Sequence, residues 1–447
     1  MHPSSSARTL AALASILLVA GACSTGPASS ASVGAASSLT GAQATPSVTG
    51  GADASPAILA VIGDLLVLRL ARPTADAGFA VIGPGLGNAM FTFADGVVSR
   101  DWQTIASVTA DGASTRVDVT MPEGGGTPVR ITVPGAWRLP TVGVGRATTG
   151  LSGDGRVLVL VEPNDPAPAA AATRTRFAIV ATGGATPPRI VTLEGSFTFD
   201  VVSPDGHWVY LLEHVTGGDP THYQVRRLDT ATGVLQDGPI VDKRLANEQM
   251  TGYALTQVAG TSGWVYTLYR GVDGVFVHAL DTIDGVAFCV DLPSTAGGDP
   301  ATDGGWGLTA DAAGTWLYVA DADSGTVRAI SLTDFSVRRT EKIADAPVVR
   351  LAKLESSRPT GGRAALDWDG KTLYVATSTG IAAIRVSDLA TIDHLGGGVA
   401  YRDVAAGRGG AVYAVDGAGR ALLLGAGSAA ALPVARGVYA SIVAVGP

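Results

Sequence analysis

Thr315-Trp316-Leu317-Tyr318-Val319-Ala320-Asp321-Ala322-Asp323-Ser324-Gly325-Thr326-Val327-Arg328-Ala329-Ile330 decides how the rest of the chain is read. Two runs in which apolar side chains recur at every second position flank a short Asp/Ser/Gly segment, the pattern of a β-hairpin. The apolar spacing is two, where a helix would show a spacing near 3.6. The same phrase recurs along the chain. It opens at Gly63-Asp64-Leu65, Ser99-Arg100-Asp101, Ser152-Gly153-Asp154, Ser203-Pro204-Asp205, Gly260-Thr261-Ser262, Asp367-Trp368-Asp369 and Gly407-Arg408-Gly409, each time leading into an apolar strand. With the opening stretch there are eight copies, spaced by roughly forty to fifty-five residues, enough for four short strands each.

An all-β chain of such units is read as a β-propeller. Eight motifs predict eight four-stranded blades, and a ring of seven follows instead if the irregular first repeat folds into a neighbouring blade. Each blade runs from an inner strand through the "LYV" strand and a hairpin to a third strand such as 325–332 and an outer strand such as 335–343. The last segment, Gly437-Val438-Tyr439-Ala440-Ser441-Ile442-Val443-Ala444-Val445, has the pattern of an inner strand with nothing after it, and the first repeat lacks one before Gly63. The C-terminal strand is therefore expected to pair with the N-terminal blade and shut the ring, which removes the exposed edges of an open array. Trp102, Trp208, Trp264, Trp316 and Trp368, near the starts of the "LYV" strands, are expected to pack between blades as core.

Ahead of the repeats stands a different kind of sequence. Residues 1–22 carry Arg8 and then a small, apolar run from Leu10 to Ala20, too short to span a bilayer and placed as an export signal. Its end, Val19-Ala20-Gly21-Ala22-Cys23-Ser24, resembles a bacterial lipoprotein lipobox, with Ala20 where that family usually carries Leu. The resemblance implies lipidation of Cys23. Residues 23–55 are then the modified cysteine and a tether of Ser, Ala, Gly, Thr and Pro with almost no charge, which cannot bury enough apolar surface to fold. Residues 56–447 form the propeller domain. With Cys23 lipidated, Cys289 has no partner for an intrachain disulfide, and no cysteine-based metal or redox pair is available. The formal charge of -8 disfavours nucleic acid and anionic headgroups as partners.

Leu317-Tyr318-Val319-Ala320-Asp321 with Thr326-Val327-Arg328-Ala329-Ile330, and Leu373-Tyr374-Val375-Ala376-Thr377, resemble the repeats of bacterial YVTN-type, WD-like and lactonase-like propellers. The resemblance implies the fold and is silent on activity. On this strand reading the loops after the second strands share one face with the inter-blade loops. That face carries Glu162, Asp165, Glu213, Asp219, Asp273, Asp321, Asp323 and Asp416, carboxylates that attract a cation or a basic partner but also simply make good turns. Glu213-His214, Asp219 and His222 are the densest polar cluster and the candidate for a divalent metal. Asp321-Ala322-Asp323-Ser324-Gly325 starts like a calcium loop but lacks the later acidic ligands, so it reads as a hairpin turn. Neither a Gly-x-Ser-x-Gly elbow nor a His-Glu-x-x-His motif occurs. Asp229-Thr230-Ala231-Thr232-Gly233 is similar to a quinoprotein blade motif without its tryptophan.

The expectation for function is a lipid-anchored, extracytoplasmic, monomeric module on the bacterial cell membrane. It binds an envelope protein or small ligand, or serves as a scaffold, without catalysis or a resident cofactor. Glu162, Asp165, Glu213, His214, Asp219, His222, Asp321 and Asp323 are its candidate binding residues. The alternative is an envelope hydrolase of lactonase-like type with a metal in the central funnel. Cys23→Ala is expected to abolish incorporation of labelled palmitate and to release the protein from the membrane fraction. Labelling that persists in the variant would show that Cys23 is not the lipid site.

Overall fold

The computed structural model describes residues 64–71, 78–82, 90–93, 95–121, 127–143, 150–163, 172–214, 222–244, 250–293, 305–344, 363–425, 428–433 and 437–446. The expected leader and tether, with Cys23, lie outside them, as do Asp165 and Asp219. Eight antiparallel sheets follow one another around a ring, so the fold is an eight-bladed β-propeller. Among the described residues the only helical element is a single 3-10 turn, Arg408–Gly410.

Blade one is assembled from both ends of the described chain. Tyr439–Gly446 is its innermost strand, followed outward by Leu65–Leu70, Phe79–Ile82 and Met90–Phe93. The register sets Leu66 opposite Val445 and Leu68 opposite Ile442, with two bulges that bend the closing strand. The first repeat thus gains the inner strand that it lacks in sequence and forms a blade of its own, which settles the ring at eight.

Blade two runs Asp95–Val98, Ile105–Asp111, Ser114–Thr120, Val129–Pro134. Blade three has three strands, Val157–Val161, Arg174–Ala181 and Arg189–Glu194, and its inner position is held by single bridges from Arg138 and Leu151. Blade four runs Phe197–Val202, Trp208–His214, His222–Asp229, Met250–Thr251. Blade five runs Tyr253–Ala259, Trp264–Arg270, Val275–Asp281, Val286–Leu292. Blade six is Trp306–Ala310, Trp316–Asp321, Thr326–Ser331, Ser336–Lys342, with the strand order anticipated from its hairpin. Blade seven is Ala364–Leu366, Thr372–Ala376, Ile381–Arg385, Ala390–Leu395, and blade eight is Tyr401–Ala406, Ala411–Asp416, Ala421–Gly425, Ser428–Pro433.

The turn before the second strand repeats one hydrogen-bond device in three successive blades. In blades two, three and four a serine hydroxyl (Ser99, Ser152, Ser203) donates to the aspartate two residues on, at 2.5, 2.7 and 2.6 Å. That aspartate accepts a backbone N–H from the next turn residue, and the serine Oγ accepts the N–H that opens the strand, as in Trp208 N to Ser203 Oγ at 2.9 Å. The residue between them is left-handed: Gly206 has φ +73, and a Cβ there would meet Val157 at 2.6 Å. In blade two Trp102 occupies the same place at φ +60, an uncommon conformation for a bulky residue.

Two of the five tryptophans depart from their expected role, whereas Trp102, Trp208 and Trp264 pack against core clusters, the Trp264 ring lying 5.2 Å from that of Phe335 in blade six. Trp316 and Trp368 are 36% and 51% exposed, and Trp102, Trp208 and Trp264 are only partly buried. The residue buried at the centre of the seam is the tyrosine two positions later in blades four, five and six, Tyr210, Tyr266 and Tyr318, and Tyr413 holds the matching place after Ala411 in blade eight. Positions one and three of a strand share a face, but the first lies at the rim where the sheet ends and the third lies at mid-strand. Trp208 is also covered by the Arg227 guanidinium, 4.5 Å from its ring centroid. The buried tryptophans are Trp137 and Trp306.

Tyrosine hydroxyls in these seams are anchored. Tyr210 donates to the Thr282 carbonyl in blade five at 3.0 Å, and Tyr413 donates to Asp64 Oδ2, across the closure, at 3.0 Å. Tyr210→Ala is expected to cost about 3–5 kcal/mol by leaving a cavity between blades, and Trp316→Ala about 1 kcal/mol or less. Chemical denaturation of the two variants checks the ranking, and equal losses would restore Trp316 as core.

Candidate functional site

Second strands end, and third strands begin, on one rim of the ring, so the carboxylates singled out from the sequence fall at that end wherever they are described. Most are already engaged. Glu162 accepts Arg176 Nη1 at 2.7 Å. Glu213 accepts Gln224 Nε2 at 2.7 Å and is paired with Arg226 Nη1. Asp321 Oδ1 caps its own hairpin by accepting Ser324 N at 3.2 Å, the turn role expected of it. Asp416 is buried and accepts Arg420 Nε at 2.6 Å.

The arginines on this rim carry half of its chemistry and were not anticipated. Arg363 is 2% exposed, donates to the Tyr401 carbonyl at 2.9 Å and lies in the field of Asp323 and Asp403. Arg328 donates to the Pro293 carbonyl at 2.5 Å while its Nε and Nη1 find no partner. Arg402 donates to the Gly417 carbonyl and leaves Nε unpaired. Burial holds all three guanidinium groups below their ordinary pKa. The rim is therefore a belt of interleaved cations and anions.

The cluster considered for a metal divides by strand parity. Glu213 faces Gln224 across the hairpin, and His222 lies two residues from Gln224, so Glu213 and His222 share one face of blade four. His214 pairs with Tyr223 on the opposite face, where its Nε2 lies 3.2 Å from Thr198 Oγ1. The described members cannot converge on one ion, and among the described residues no three His, Cys, Asp or Glu side chains are grouped as a metal site requires.

A second polar region is buried between blades four and five. Register aligns Gln257, Thr267, His278 and Cys289 in one row across all four strands of blade five, on a single face. The next row on that face carries Tyr269 and Phe276, stacked at 5.4 Å, with Asp291 beyond them. Blade four answers with Asp200, the bulge residue of its inner strand, and with Tyr223, whose ring lies 5.6 Å from that of Tyr269. Gln257 Nε2 donates to Asp200 Oδ1 and to Thr267 Oγ1, both at 2.9 Å. Farther out along the seam, where Tyr223 and Tyr269 face each other, His278 Nδ1 is buried without a hydrogen-bond partner.

Burial dominates the ionisation of this seam. It raises Asp200 to about 7 against the opposing Gln257 hydrogen bond, and lowers His278 to about 4. Asp242 goes the other way. Burial would raise it, but the hydrogen bonds from Arg244 and from the Cys289 N–H (2.8 Å) outweigh that and lower it. Its segment straps the two blades together, since Ile240 bridges to Val225 in blade four and Asp242 to Ala287 in blade five. Beside the strap lies a cavity of about 400 Å³, lined in part by Gln224, Met250, Phe276, His278 and Cys289. A smaller cavity, about 130 Å³, lies around Glu162 and Arg176 between blades three and four. A histidine in Val275-Phe276-Val277-His278-Ala279-Leu280 and an aspartate in Phe197-Thr198-Phe199-Asp200-Val201-Val202 break otherwise apolar strands, and that was the signal available in the sequence.

No family model matches the chain. No curated protein matches it either. Among solved structures it is similar to AztD of Citrobacter koseri (13% identity over 74% of this chain and 93% of that one, TM-score 0.42). It is similar also to BamB of Moraxella catarrhalis (15%, 72% and 82%, TM-score 0.40) and to the β-propeller domain of Myceliophteria thermophila Cps50 (Swd1) (12%, 72% and 92%, TM-score 0.40). Likenesses of this degree add nothing on activity to what the sheets already show.

The seam generates a pH dependence of defined sign. Folded Asp200 keeps its proton between its ordinary value of 3.8 and about 7, where the unfolded chain has lost it, so this group's stabilisation is lost as pH rises through that window. His278, at about 4 rather than 6.5, acts in reverse, and its contribution is lost as pH falls from 6.5 towards 4. Asp200→Asn removes only the first effect. It is expected to gain roughly 2–4 kcal/mol over the wild type at about pH 8 and little at about pH 3.5, measured by urea denaturation. A gain independent of pH would show that Asp200 does not titrate in this window.

Proposed function

We propose that the protein is a binding module, a propeller held outside the cytoplasm by a lipid on Cys23 and a flexible tether, whose charged rim docks an envelope partner. The belt of arginine–carboxylate contacts is the observation that supports it. Glu162, Glu213 and Asp416 have their lone pairs occupied by Arg176, Arg226 and Arg420. A carboxylate held in this way is poorly placed to move protons, whereas a rigid array of alternating charge gives register and selectivity to a docking partner. Because the rim rests on eight sheets closed into a ring, its charges stay in place without a partner to order them.

The decisive experiment is purification of the full chain from solubilised membranes, comparing the wild type with the double variant Glu162→Lys, Asp321→Lys. These positions are partly exposed, so the variant should stay folded, each substitution costing about 1 kcal/mol, while recovery of a co-purifying envelope protein falls at least about tenfold. A stoichiometric bound metal together with lactone or ester turnover abolished by His214→Ala would overturn this reading in favour of an envelope hydrolase.

A further inference from the structure

The cavity between blades four and five is built differently from the rim. It lies where the outer halves of the two blades diverge, and it is walled in part by Val225, Ile240, Met250 and Phe276. At about 400 Å³ it falls within the range of small-molecule sites and is far larger than a bound water needs. His278 lines it, is 1% exposed and has no hydrogen-bond partner for Nδ1. Unpaired buried polar atoms are uncommon in folded proteins, and this one belongs to a side chain that lines the cavity.

The charges around it are one-sided. Asp273 and Asp291 line the cavity and are exposed, no lysine or arginine among the described residues lines it, and Arg244 nearby is committed to Asp242 and the Cys289 carbonyl. An anion would meet carboxylates without a counter-charge. A cation meets two carboxylates, the Phe276 ring that stacks on Tyr269, and an imidazole with an unpaired acceptor nitrogen.

We propose that this cavity is a binding site for a small organic cation, an amine carrying an apolar ring, whose N–H donates to His278 Nδ1 while the ring lies against Phe276 and Met250 and the charge faces Asp273 and Asp291. With the ring proton on Nε2, the neutral imidazole presents Nδ1 as a pure acceptor. Burial keeps it neutral at pH 7, because its pKa is held at about 4. Cys289, opposite His278 in the register and also lining the cavity, places a thiol where a ligand would cover it.

That thiol supplies the test. The full chain is treated with N-ethylmaleimide at about pH 7, and modification of the Cys289 peptide is followed by mass spectrometry with benzylamine, benzyl alcohol or benzoate present, each at about 5 mM. For a ligand of this size a Kd of about 1 mM is reasonable, so benzylamine should slow alkylation about fivefold, with saturation, while benzoate leaves the rate unchanged. Absence of protection by benzylamine, or equal protection by benzoate or benzyl alcohol, overturns the proposal. His278→Phe should abolish the benzylamine effect, and a folded variant that is still protected also overturns it. Should that variant not fold, Asp273→Asn with Asp291→Asn alters only exposed groups. It should reduce the protection to about twofold or less, and undiminished protection would again defeat the assignment.

Discussion

The structure depends on one strand pairing, that of Tyr439–Gly446 with Leu65–Leu70, made between the two ends of the ring. Without it blade one would present a bare inner edge and blade eight a bare face, and the edges that closure removes would return. Two buried carboxylates reinforce the joint. Asp403, just after the bulge at Arg402 in the inner strand of blade eight, accepts the Ile442 N–H at 2.6 Å. Asp64, just before the first strand of the chain's own blade one, takes the Tyr413 hydroxyl and the Arg408 N–H. Burial raises the Asp64 carboxyl despite those donors, so the closure is made with a group that water would otherwise hold more comfortably. Hydrogen bonds of this kind join blade eight to both strands of the zipper, and they tie closure to packing.

Between the blades the same sheet serves two purposes. One face of blade five, with Tyr266, Leu268, Val277 and Val290, joins an apolar core with Leu308 and Leu317 of blade six. The other face carries the row Gln257, Thr267, His278 and Cys289 towards blade four. Period-two alternation lets a strand do both at once, because each step along it reverses the side. Lower in the same seam the contacts turn apolar again, with Tyr210, Val225, Leu280 and Ala287. The polar stretch is thus a local departure within a seam that is otherwise ordinary core, and it borders the cavity of about 400 Å³.

How much of this was legible depends on whether a property is local. The turn chemistry of Ser203-Pro204-Asp205-Gly206 and the Asp321 to Gly325 hairpin could be read directly, because their hydrogen bonds close within five residues. Repetition of that turn then implied the blades. The weight placed on Trp316 and Trp368 was misplaced for a related reason. Sequence shows that a large ring recurs at the head of a strand, but not that the head lies at the rim, beyond the reach of the neighbouring blade. Glu213 and His222 could have been separated from His214 by counting alternation through the hairpin, had its length been known.

Alone, then, the order of residues determined the strands, their turns and the strand that closes the circle, since each follows from spacing and from backbone preferences over short distances, and it narrowed the sheets to seven or eight. Which side chains meet was decided only by the tertiary arrangement. Arg363 beneath Tyr401, Asp200 against Gln257 and His278 beside an open cavity are contacts between blades, set by register, bulges and the angle of neighbouring sheets. None of these contacts is encoded by residues near one another in the chain.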